Sequence, residues 1–153
     1  FLIKARQIEK EIYGETHTRI ADTALALGTL ELKRGKAFEA HSYLAESAAI
    51  RGKLLGRRSN LTAIALFALS DAEQALGSPA KAWATAIEGL RIYQSFLRGL
   101  EPADAAALRP VDLDGLLNLA SHPITGVSPT EQRNTAFLAM QLVNQSMTAL
   151  AVA

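Results

Sequence analysis

The chain has 153 residues, with 16 Lys+Arg against 15 Asp+Glu, no cysteine, and 49% hydrophobic but only 6% aromatic residues. That length suits one domain or a short repeat array, and the missing cysteine excludes a disulfide framework, a thiolate zinc site and a cysteine nucleophile without fixing a compartment. A formal net charge of +1 argues against nucleic acid as a partner, because such binding needs a clustered basic excess to displace phosphate counterions.

Along the chain Ala and Leu recur at three- and four-residue spacing and β-branched alternation is nearly absent, which predicts an all-α fold. Helices are expected over about residues 2–13, 18–34, 37–54, 60–76, 79–98, 103–109, 112–121 and 129–152. The chain opens at Phe1 without a methionine, and Lys4, Arg6 and Glu9 interrupt any signal-peptide pattern, so it is expected to be a segment of something longer. Gly35 and Gly77 fit helix ends, where a left-handed residue costs glycine little. Ser78-Pro79 pairs an N-cap with proline at the first helical position. Ser128-Pro129-Thr130-Glu131 has the form of a capping box. The last helix is uncharged from Asn134 onward, long enough to span a bilayer. Asn134, Gln141, Asn144, Gln145, Ser146 and Thr148 punctuate it, so it is expected to pack on protein and not in a membrane.

Slid along itself by 42 residues, the chain repeats: Gly14/Gly56, Ala26/Ala68, Leu27/Leu69, Glu31/Glu73, Gly35/Gly77, Glu46/Glu88, Ile50/Ile92 and Leu55/Leu97 are identical pairs. Matched Gly, Glu and Ile at matched places in the helical pattern mark a helix–turn–helix unit. The predicted organisation is a half unit at 1–13, units at about 14–55 and 56–98, and a helical extension over 100–153 acting as a C-terminal cap. One helix pair buries too little apolar surface alone and must stack on a neighbour. Small residues at Ala24, Gly28, Ala40, Ala82 and Ala86 permit close approach, and Leu27, Leu30, Leu44, Ile50, Leu66, Leu69, Leu90 and Ile92 are expected to fill the space between.

These residues resemble the 42-residue tetratricopeptide repeat of the kinesin-light-chain type, carried by Ile20-Ala21, Leu27-Gly28, Gly35-Lys36, Glu39-Ala40, Leu44, Ile50 and Leu55-Gly56 and by their counterparts through Leu97. The likeness covers about residues 1–99 and implies a right-handed helical solenoid. Glu31 and Glu73 stand where the family usually has an aromatic residue, and Ser47 and Gly89 where alanine is usual. In the tail, Glu131, Ala136-Phe137, Ala139, Gln141, Ser146, Thr148 and Leu150-Ala151 are similar to a segment of bacterial proteins in which such repeats precede a caspase-like CHAT peptidase domain. That resemblance implies a docking or regulatory arm, with the peptidase His–Cys pair beyond Ala153.

No catalytic constellation emerges, and no cofactor or metal is expected. His17, His41 and His122 are not spaced to share a helix face, and there is neither a phosphate-binding glycine loop nor a zincin motif. Arg51, Lys53, Arg57 and Arg58, with Lys33, Arg34 and Lys36, read either as a patch for an acidic partner or, more simply, as cations gathered at helix C-termini. The family resemblance places a partner-binding groove on Asp22, Leu25, Ala26, Thr29 and Lys33, then Ile64, Phe67, Ala68, Asp71 and Gln74. Phe67 there is either an exposed anchor or, as is commoner for Phe at helical spacing, core. The asparagines that clamp a peptide backbone in the family are Ala26 and Ala68 here, which shifts any grip toward apolar contacts or leaves the groove to a neighbouring segment of the same protein. The expected function is a non-enzymatic protein–protein interaction scaffold that binds a peptide or protein segment. Two alternatives stand: one wall of the substrate cleft of a caspase-like peptidase, or a peptide-sensing regulator beside a DNA-binding domain.

Overall fold

A computed structural model describes residues 2–101, 104 and 111–152. Among these there are seven α-helices and no strand: α1 Leu2–Tyr13, α2 Thr18–Lys33, α3 Ala37–Leu55, α4 Asn60–Ala75, α5 Pro79–Leu97, α6 Asp114–Ala120 and α7 Pro129–Val152. A 3-10 turn, Gly56–Arg58, joins α3 to α4. The helix expected at 103–109 lies outside the described residues except for Asp104.

The 42-residue repeat is written into the helix boundaries. Thr18 and Asn60 open, and Lys33 and Ala75 close, the first helix of each unit; Ala37 and Pro79 open, and Leu55 and Leu97 close, the second. Both hairpins turn by the same hydrogen bonds. Lys36 N donates to Glu31 O at 2.9 Å and Gly35 N to Leu32 O at 3.0 Å; in the second unit Ser78 N donates to Glu73 O at 3.0 Å and Gly77 N to Gln74 O at 2.9 Å. This is a Schellman turn, which needs a left-handed residue just past the helix; Gly35 and Gly77 supply it at φ of 75° and 73°.

Close helix approach depends on missing side chains. A Cβ on Gly28 of α2 would stand 2.5 Å from Leu44 Cγ of α3, so a larger residue there would force the hairpin open. Ser47, where the resembled repeat usually has alanine, ties α3 to α2 by donating to Ala21 O at 2.7 Å. Leu30, expected as filler, is 42% exposed and is corrected to a surface position. At the N-termini of helices, His17 Nδ1 accepts from Arg19 N at 3.2 Å and Ser128 Oγ from Glu131 N at 3.1 Å. Ser78 makes no such side-chain bond; there Pro79 at the first helical position favours the start through its fixed φ, and Ser78 O accepts from Ala82 N at 2.9 Å.

The largest hydrophobic core joins the second unit to the C-terminal extension. Phe67, Trp83, Leu90 and Tyr93 share it with Leu113, Leu116, Leu119 and Ile124. The extension thus closes over the end of α4 and α5. Each fully buried Leu or Ile there stabilises by about 1.5–3 kcal/mol relative to an exposed one.

Candidate functional site

The inner face of α2 presents Asp22, Leu25, Ala26, Thr29 and Lys33 at spacings of one, three and four residues, which keeps them on one side of the helix. Two adjoining clefts lie along it. The first, about 420 Å³, is lined by Asp22, Leu25, Ala26, Thr29, Leu30, Lys33 and Arg51. The second, about 300 Å³, is lined by Leu25, Thr29, Ile64, Phe67, Ala68, Asp71, Val111 and Asp112. Leu25 and Thr29 border both, so the clefts form one trough from α2 across to α4 and the segment before α6. Of the residues the sequence singled out, Gln74 lines neither cleft.

Phe67 is a correction to the anchor reading: its side chain is 6% exposed and belongs to the core. The reason is a paired change between the repeats. Phe67 replaces Leu25 of the first unit, and Gly89 replaces Ser47. A Cβ on Gly89 would lie 3.0 Å from Phe67 Cε1, so the missing side chain makes room for the ring between α4 and α5. Phe67 is the buried member of the cleft lining, and the more accessible apolar surface there comes from Leu25, Ile64, Ala68 and Val111.

Electrostatically the two ends of the trough differ. At the first, Arg51 is 4% exposed and donates to Asp22 Oδ1 at 2.7 Å and to Leu61 O at 2.8 Å, pinning α3 to both α2 and α4. Arg51 is therefore engaged inside the fold and is not free to join a patch for an acidic partner. Arg34 and Lys36 are likewise drawn to Glu31, at 3.1 and 3.8 Å. At the second end, Asp71 is half-buried with Asp112 and Asp114 nearby; burial first, then their negative charges, push its carboxyl up to about 6. Asp71 also touches α6 so closely that a Cβ on Gly115 would lie 1.8 Å from its Oδ1.

The two glutamates in normally aromatic positions are buried and paired. Glu73, 2% exposed, lies 3.1 Å from Lys81 Nζ and 3.7 Å from His41 Nε2, bridging α3, α4 and α5. His122 Nδ1 sits 3.0 Å from both Ser121 Oγ and Asn118 O. Among the described residues no three His, Asp or Glu side chains gather as a metal site, and no helix is long and apolar enough to cross a membrane.

Leu30, Arg51, Val111 and Asp112 also line the clefts, and nothing in the sequence pattern pointed to them there. Leu30 and Arg51 follow ordinary helical periodicity, which does not distinguish the face toward a cleft from one toward a neighbouring helix. Val111 and Asp112 lie outside the repeat, so no internal register pointed to them.

A family model described as tetratricopeptide repeat matches residues 19–95, just over half of the chain. Among solved structures, BtubC (BKLC) from P. vanneervenii is similar with a TM-score of 0.65 at 18% sequence identity, over 99% of this chain and 54% of that one. The chain therefore spans about half the length of that structure, and the likeness is one of fold. No curated protein matches the chain.

Proposed function

Because the chain belongs to the tetratricopeptide-repeat family, we propose that its trough, from Asp22 on α2 to Asp71 on α4, holds an extended or helical segment of a partner protein. Repeats of this family mark a protein–protein interaction scaffold, and their fold is typically non-catalytic. The observation that carries the finer reading is continuity: Leu25 and Thr29 belong to both clefts, so one ligand could run across both repeats. The trough offers apolar side chains along its floor and charged ones toward its ends, which suits a segment held by side chains more than by its backbone.

Ala26 and Thr29 are exposed on this wall, so substitutions there alter the trough without entering the core. Peptides selected from a phage-displayed random library against the full chain should lose binding to Thr29→Arg and keep it toward Phe38→Ser, whose site is 78% exposed and lines neither cleft. The opposite pattern would place recognition elsewhere. The same arm is proposed to dock material for, or to regulate, an attached CHAT-type peptidase domain. Its support is the likeness of the Glu131–Ala151 segment, together with the exposed Phe137 and Met140 one turn apart on α7. An isolated peptidase domain whose turnover is unchanged on adding this chain would count against that role.

A further inference from the structure

We propose that the α4 end of the trough receives a lysine or arginine side chain, so that the segment held there carries a basic residue beside apolar ones. This rests on the groove reading above and adds to it the chemistry of the partner.

The cleft combines an apolar floor, from Leu25, Ile64 and Ala68, with two carboxylates, Asp71 and Asp112, and no cation among the described residues that line it. Of its polar groups, Thr29 Oγ1 donates to Leu25 O at 2.9 Å and Asp112 Oδ1 accepts from Asp114 N at 3.0 Å. Several acids of the repeats are paired with cations: Asp22 has Arg51, Glu31 has Arg34 and Lys36, Glu46 has Arg6 and Lys10, and Glu73 has Lys81. Among the described residues Asp71 has no cationic partner, and its charged neighbours are the acids Asp112 and Asp114. From α2, across the cleft, Leu25 and Thr29 bring no charge.

An amphipathic cation matches both halves of this lining. The methylene stem of Lys or Arg packs on apolar surface while its head reaches a carboxylate. Its arrival replaces repulsion among three aspartates with attraction, at a position partly withdrawn from solvent screening. An acidic or purely apolar side chain would leave that repulsion in place or increase it.

The test pans a phage-displayed random dodecapeptide library on the full chain at pH 7.5 and sorts the selected peptides by loss of binding to Thr29→Arg. The groove-dependent set should be enriched in Lys or Arg flanked by apolar residues. Asp71→Asn should weaken it by about tenfold or more, the loss expected for one charge-assisted contact. Lowering the pH to 5 should weaken binding to the unmodified chain similarly, as Asp71 takes up a proton, and should have far less effect on Asp71→Asn. Circular dichroism of Asp71→Asn should match that of the unmodified chain, since the substitution removes a half-buried charge and keeps the side chain's shape. Groove-dependent peptides with no basic preference and undiminished binding to Asp71→Asn would overturn this inference and leave the groove reading standing. A library that yields no peptide sensitive to Thr29→Arg would overturn both.

Discussion

At Asp71 packing and charge oppose each other. Its carboxyl, raised from 3.8 to about 6, binds its proton more tightly in the folded chain than in the unfolded one. The linked stabilisation is therefore present below pH 3.8 and is lost as pH rises through about 6. Asp71→Asn should leave stability near that of the unmodified chain at pH 3.5 and exceed it by about 1–2 kcal/mol at pH 7, after discounting for partial exposure. Urea unfolding at the two pH values checks this, and an equal difference at both would remove the electrostatic explanation. Phe67 teaches a different lesson at the same scale. Its helical spacing was visible in the sequence, but its burial depends on the space left by Gly89, 22 residues further on. Reading Leu25/Phe67 together with Ser47/Gly89 would have revealed it: the larger side chain entered where the smaller one withdrew.

At the scale of the element, the helical hairpins were legible because their determinants are local. Ala- and Leu-rich periodicity fixes the helix faces, and Gly35 and Gly77 end α2 and α4 by the same turn. Gly35→Ala and Gly77→Ala should each cost about 1–2 kcal/mol, the penalty of a left-handed backbone for a residue with a Cβ. Similar losses in urea titrations at both sites are the expected mark of equivalent turns, and a loss at only one would deny the equivalence. Gly28 acts through packing instead. Gly28→Val should lose about 1–3 kcal/mol because its side chain has to displace Leu44, which is fully buried in α3. What the sequence left hidden at this scale was non-local: Arg51 looked like one of several cations near a helix end, yet it bonds to α2 and to the start of α4. No spacing along α3 encodes those partners.

For the whole molecule, the all-α repeat architecture could be read from the 42-residue self-match, whereas the way the extension meets the repeats could not. Leu113, Leu116 and Leu119 share no register with the units they cover, and their burial against Phe67 and Trp83 arises only in three dimensions. This shared core makes the extension part of the array's stability. Leu116→Ala should lower unfolding free energy by about 2–5 kcal/mol, with α4–α5 and α6 melting in one transition by calorimetry; separate transitions would show an extension that merely rests on the repeats. The same arrangement places Val111 and Asp112 at one end of the trough, so the extension both seals the core and shapes the surface left open. The most direct examination of that surface is an amide-resolved NMR titration of the full chain with a peptide selected against it. Shifts should concentrate on Asp22, Leu25, Ala26, Thr29, Ile64, Ala68 and Asp71, with the exposed outer residues of α3 and α5 unmoved. Shifts confined to α3, α5 or α7, with the inner faces of α2 and α4 silent, would contradict the trough as the binding surface.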